Sequence, residues 1–294
     1  MKSKIQRIKS AALPALLFTC LMVLCLSGCS GKNPPTTSVA PHPPSTAPVD
    51  TTPKPVEPTP PPVPTPEPTA ETPAPVDGLD TSIDTQSVAY LRESEDAGQE
   101  YIDKIIFLGD STTYGLKHYG MLSGGEDTHQ VWTPASGTLA LFNQSIATIV
   151  YPEDESEITI KDAAERAKPE MMVITLGVNG VSSMDEDDFK REYADLVQTI
   201  QSVSPDTKII LQSIFPVTED YEYVNSINNV KILDANRWIL AVAEETGVKY
   251  LNTISVLLGD DGWLPSEYNN GDGIHLSPEG FGQVLNYIRT HAYK

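Results

Sequence analysis

Short apolar runs alternate with amphipathic stretches across residues 79–294 of this chain. Five runs predict strands, at residues 104–108, 130–133, 171–176, 208–212 and 248–252. They are brief, and most are rich in branched apolar residues, the pattern of strands covered on both faces. Residues 189–203 put Phe189, Tyr193, Leu196, Ile200 and Val203 on one helical face. The acids Asp185, Glu186, Asp187 and Asp188 precede that face, where they suit the positive end of a helix dipole better than a metal site. Residues 232–246 predict a second helix, stopped by Gly247. Ser277 and Pro278 read as an N-cap and first-turn proline, opening a last helix through Ile288. Strands alternating with helices imply an α/β fold, with a parallel sheet between two helical layers. The active crevice of such a sheet lies at the carboxyl ends of its strands.

The pattern changes toward the N-terminus. Lys2, Lys4, Arg7 and Lys9 precede an apolar run at residues 11–26, with no acid in the first 28 residues. This is the layout of a secretory signal, and it is short for a membrane span of about 20 residues. Leu26, Ser27, Gly28 and Cys29 follow. Small residues ahead of a cysteine resemble the lipobox of bacterial lipoproteins, which implies cleavage after residue 28 and a diacylglycerol on Cys29. Between residues 33 and 77 lie 17 of the 25 prolines. Residues 29–78 therefore read as a lipid-bearing cysteine followed by a linker, extended at ~3.1 Å per residue and unable to build a core. The expected layout is a signal peptide at 1–28, the anchored linker at 29–78 and one domain at 79–294, held on the extracytoplasmic face of the cell membrane.

Composition narrows the chemistry. The net charge is −20, and the segment expected to be removed carries cations only. A broad basic surface for nucleic acid is therefore excluded. The three cysteines are Cys20, Cys25 and Cys29, so the domain has no cysteine nucleophile, no disulfide and no cysteine-held metal. Gly259, Asp260, Asp261 and Gly262 lack the ligand spacing of a calcium loop. His118 and His129 have no spaced partners. Trp132, Trp263, Tyr114 and Phe215 are candidates to line a substrate groove or to pack the core.

Three segments at predicted element boundaries carry reactive groups. Gly109, Asp110 and Ser111 follow the first strand, Gly177, Val178 and Asn179 follow the third, and Asp272, Gly273, Ile274 and His275 precede the last helix. The topology brings a hydroxyl, an amide, an imidazole and a carboxylate to one sheet edge. Acyl transfer needs that set: a serine, a base to deprotonate it, an acid to orient the base, and fixed donors for an oxyanion. Ser111, His275, Asp272 and Asn179 supply it, with neither metal nor cofactor.

These segments resemble the first, third and last conserved blocks of the SGNH/GDSL hydrolases, and the resemblance covers nearly all of residues 100–294. It implies a three-layer α/β/α sandwich with a flavodoxin-like five-stranded parallel sheet. It also implies Ser111 as nucleophile, His275 as base, Asp272 as its partner, and an oxyanion hole of the Ser111 N–H, a glycine N–H and Asn179. Gly137, after the second strand and before an expected apolar helix, fits the glycine best; Gly124 and Gly125 are alternatives. Two positions depart from the pattern. Thr112 stands where many members carry an apolar residue. Gly180 stands where the third block often ends in Asp, which is expected to loosen the loop holding Asn179. Residues 212–217 together with the third block also resemble exported, lipid-anchored members from Gram-positive bacteria. The implied activity is hydrolysis of acyl esters, with acetyl groups on cell-envelope or environmental glycans as the expected substrate. Transfer of the acyl group to a glycan hydroxyl, and a non-catalytic glycan-binding lipoprotein, are the alternatives.

Overall fold

The computed structural model describes residues 78–294. The expected signal peptide, Cys29 and the proline-rich stretch to residue 77 lie outside the described residues. In chain order the elements are α1 (Gln99–Ile102), β1 (Ile105–Gly109), α2 (Ser111–His118), β2 (Val131–Trp132), β3 (Thr148–Tyr151), β4 (Ser156–Thr159), α3 (Ile160–Ala167), β5 (Met171–Thr175), α4 (Glu186–Val203), β6 (Lys208–Gln212), α5 (Asn229–Thr246), β7 (Lys249–Leu251) and α6 (Pro278–Thr290). Five strands form one sheet in the order β2-β1-β5-β6-β7, parallel throughout.

Alternate residues of each strand enter two separate cores, as the pleat requires. On β5, Met172 and Ile174 join the core that holds Phe189, Tyr193 and Ile239, whereas Met171 and Val173 join the one that holds Leu116, Phe281 and Ile288. Helices α3, α4 and α5 thus cover one face, and α1, α2 and α6 the other. Burial on both faces explains why the strand sequences lack polar alternation.

The helix starts follow their caps. Asp185 accepts from the Asp188 N–H at 2.9 Å, so the acidic run is a first turn of α4. Ser277 accepts from the Gly280 N–H, with Pro278 in the first turn of α6. Helix α5 begins three residues ahead of the predicted start. There Asn229 is buried, accepts from the Val217 N–H and donates to the Val217 and Gly262 carbonyls, so a core position is filled by a polar residue.

Two parts differ from expectation. The apolar helix expected after Gly137 is only a 3-10 turn, Leu141–Asn143. Its Leu139, Ala140 and Leu141 are buried by loop packing rather than by a helical stripe. An antiparallel hairpin of β3 and β4 follows, ahead of α3. In addition, the segment before α1 finishes the sheet. Tyr90 bridges Tyr250 in parallel, the Leu91 N–H donates to the Tyr250 carbonyl, and the Tyr250 N–H donates to the Ala89 carbonyl. This covers the open edge of β7, the place where a sheet invites unwanted pairing.

Candidate active site

The chain turns sharply out of β1 into α2. A side chain at Gly109 would overlap the Thr113 hydroxyl and lie 2.8 Å from the Thr175 carbonyl, so only glycine permits the turn. Asp110 caps α2 and Ser111 heads it. The Ser111 N–H is therefore one of the helix-start donors without an intrahelical acceptor.

His275 arrives from the loop before α6. The Asn269 carboxamide braces this loop, accepting from the Gly271 and Gly273 N–H groups and donating to the His275 carbonyl. Asp272 Oδ1 accepts from the Ile274 and His275 N–H groups at 3.0 and 2.9 Å. Its Oδ2 lies 2.6 Å from His275 Nδ1, and His275 Nε2 lies 2.8 Å from Ser111 Oγ. A carboxylate accepts only, so the ring nitrogen facing Asp272 carries hydrogen and the other is free to accept the serine hydroxyl. Burial disfavours the Asp272 charge, but the two N–H groups, the ring and the ring's charge outweigh it and hold the carboxyl down at about 2. The carboxylate stays ionised, as stabilising a protonated imidazole demands.

Asn179 comes from the loop after β5. Gly177 there has φ +126°, and a side chain on it would strike Phe189 and Ile214. The glycine at position 180 does not leave this loop unpinned. The Gly180 and Val181 N–H groups donate to the Gly177 carbonyl, and the Met184 N–H donates to the Gly180 carbonyl. The Asn179 amide donates to Asp110 Oδ2 at 2.9 Å and to the Leu139 carbonyl at 3.3 Å. Gly137 does lie against the serine, its missing side chain pointing at Ser111 Cβ from 3.8 Å. Its N–H, however, donates to the Pro134 carbonyl at 2.9 Å. The structure thus brings Ser111, His275, Asp272, Asn179 and Gly137 to one rim, with the amide hydrogens of Asn179 and Gly137 already engaged. Gly124 and Gly125, the alternatives to Gly137, sit instead around the short 3-10 turn Gly125–Asp127.

Two clefts meet at Tyr114, which is 46% exposed on α2. The smaller, of about 270 Å³, includes Ser111, His275, Tyr119, Leu276 and Phe281. The larger, of about 700 Å³, has a mixed lining, with Lys117, Asp127, His129 and Glu155 beside Pro134 and Val150. Of the four aromatic candidates for a groove, only Tyr114 serves; Trp132, Trp263 and Phe215 are core residues. His118 and His129, which show no spaced partners in the sequence, stand on the smaller and the larger cleft respectively. Asp110 is the other residue the sequence leaves unassigned. Its adjacency to Ser111 and the polar residue after that serine were the available signals.

More than half of the chain, residues 107–282, matches the GDSL-like lipase/acylhydrolase family. No curated protein matches the chain. Among solved structures, it is similar to a GDSL-like lipase from Bacteroides thetaiotaomicron at 18% identity, covering 67% of this chain and 90% of that one with a TM-score of 0.47. It is also similar to the periplasmic domain of a lipopolysaccharide acetyltransferase from Salmonella ser. Paratyphi A at 18% identity, covering 67% and 84%, with a TM-score of 0.44.

Proposed function

The chain belongs to the GDSL-like lipase/acylhydrolase family, a family of ester hydrolases, and from that premise we propose that it cleaves short acyl esters through an acyl intermediate on Ser111. The observation that carries this reading is the unbroken contact from Asp272 through His275 to the Ser111 hydroxyl. In the first half-reaction, Ser111 Oγ attacks the ester carbonyl carbon while its proton passes to His275 Nε2. The carbonyl oxygen takes the negative charge and is met by the Ser111 N–H and the Asn179 amide, with Gly137 joining if its turn opens. Collapse breaks the bond to the alcohol oxygen, which leaves with the proton from His275. Water then repeats the sequence on the acyl-serine, releases the acid and restores the hydroxyl.

The substrate reading is a short acyl group, acetyl in the simplest case, on a carbohydrate. The cleft at the nucleophile lies at the lower limit of about 300 Å³ for small-molecule sites, which favours a compact group there. In the adjoining cleft, Lys117, Asp127, His129 and Glu155 offer partners for the hydroxyls of further sugar rings, and its apolar wall and the Tyr114 ring suit the rings' C–H faces. Anchoring at Cys29 outside the cytoplasm, read from the N-terminal sequence, gives such an enzyme access to envelope or environmental glycans.

Turnover of p-nitrophenyl acetate, and acetate released from isolated cell-wall glycans, test the two levels separately. The Ser111→Ala variant is expected to lose about 10³-fold or more in kcat. Unchanged turnover in that variant would remove Ser111 as nucleophile, and absence of acetate release would remove the glycan reading alone.

A further inference from the structure

Asp110 lies beneath the site with no exposed surface, and no step above uses it. Its carboxylate nevertheless accepts three hydrogen bonds. Oδ1 accepts from the Thr112 N–H at 2.9 Å and from the Thr112 hydroxyl at 2.7 Å, and Oδ2 accepts one Asn179 amide hydrogen at 2.9 Å. The other amide hydrogen reaches only the Leu139 carbonyl, at 3.3 Å. That is beyond the usual ~2.7–3.2 Å for N–H···O bonds. One carboxamide therefore ties together the segments that follow β1, β2 and β5.

We propose that Thr112 and Asp110 are positioning residues that clamp one hydrogen of Asn179, so that the other, loosely held by Leu139, is delivered to the oxyanion. The proposal rests on the esterase reading above. A primary amide is planar, so fixing one of its hydrogens fixes the direction of the second. Exchanging the Leu139 carbonyl for an oxyanion replaces a neutral acceptor with a charged one, and charge-assisted bonds are about twice as strong. The gain arises only as negative charge develops, which makes it transition-state stabilisation rather than uniform binding.

Thr112 acquires a purpose in this arrangement. An apolar residue there would leave the Asp110 carboxylate with one donor fewer. Burial pushes the Asp110 carboxyl up to about 6, and the Thr112 hydroxyl is the foremost group pulling it back. The hydroxyl thus helps to keep Asp110 ionised near neutrality, the form that accepts from all three donors at once.

The test is a double-mutant cycle. Thr112→Val and Thr112→Ser are made in the wild-type and Asn179→Ala backgrounds, and kcat and KM are measured on p-nitrophenyl acetate. Thr112→Val is expected to lower kcat about tenfold with KM unchanged, the loss of one hydrogen bond to a charged group. Thr112→Ser should restore most of it, and Thr112→Val should cost nothing once Asn179 is gone. Equal losses in both backgrounds would overturn the proposal. The Asn179 side-chain amide resonance gives a readout that needs no activity: Thr112→Val should move it and Thr112→Ser should not. If the wild-type chain turns over no ester, the esterase reading fails while the resonance still decides the clamp; an unmoved resonance overturns the clamp even in an active enzyme.

Discussion

The two halves of the candidate site are prepared to different degrees. On one side, Asp272 and His275, on a loop braced by Asn269, already touch Ser111 in the order that proton transfer needs. On the other, the Asn179 amide and the Gly137 N–H serve protein acceptors. On the proposed esterase reading, the proton-handling half is set before substrate arrives, whereas in the charge-stabilising half Asn179 and Gly137 trade partners as charge appears and only the Ser111 N–H is free at the outset. The two carboxylates mark the contrast. Asp272 is partly exposed and held at about 2 because its donors outweigh burial, whereas Asp110 is fully buried and raised to about 6 because burial outweighs its donors.

The comparison can be broken at several points. The largest effect is expected beyond Ser111 itself, at Asp272→Asn, which leaves the ring without a fixed tautomer or counter-charge. A loss on the order of 10³ in kcat is expected, below the about 10⁴ found where the equivalent carboxylate is buried in a serine protease. Steady-state kinetics reads it, and a loss under tenfold would show that the preformed half is not limiting. Asn179→Ala should cost about 10² in kcat with KM little changed, as for removal of one oxyanion donor. A matching rise in KM would instead make Asn179 a ground-state binding group.

A smaller effect falls on the junction of the clefts. Tyr114→Ala should raise KM for an acetylated oligosaccharide several-fold, and affect p-nitrophenyl acetate less, because loss of one aromatic contact is worth about 0.5–1.5 kcal/mol. Equal changes on both substrates would take the ring out of glycan recognition.

The smallest effect separates the carboxylates by pH. Asp110 has a folded value above its ordinary 3.8, so the native state binds its proton more tightly than the unfolded chain does. Stability from this group falls as pH rises from about 4 to 6, and the cost is fully present above that. Asp272 has the opposite sign: its contribution is present above about 3.8 and fades as pH falls toward 2. Asp110→Asn should therefore gain a few degrees in Tm relative to wild type between pH 4 and pH 7, whatever its constant offset from altered hydrogen bonds. A Tm difference that does not vary with pH would mean that the buried carboxyl does not ionise in that window.

Most of the fold is legible in the sequence because its strands are covered on both faces. Runs such as residues 171–176 and 208–212 are apolar throughout, and helix α4 carries both its stripe and its acidic first turn. What escapes lies where tertiary contacts replace periodicity. Asn229 fills a core position at the start of α5 with a polar side chain that satisfies loop backbone. The hairpin of β3 and β4 is only half-buried, so its pattern is faint. Leu139 to Leu141 are hydrophobic enough for a helix, yet the loop from Gly137 buries them without one. At the site, reactive residue types and their order are visible in the sequence. The engaged state of the Asn179 amide is not, because it depends on a carbonyl from a third segment whose path no motif encodes.

The pairing of residues 89–91 with β7 bears on where this domain begins. Family similarity starts at residue 107, inside β1, yet the sheet's far margin is sealed by chain that precedes every conserved block. A fragment trimmed to the recognisable motifs would keep all of its reactive groups and still present a raw strand to its neighbours. The smallest unit with a covered sheet edge is thus longer than the smallest unit that holds the candidate site.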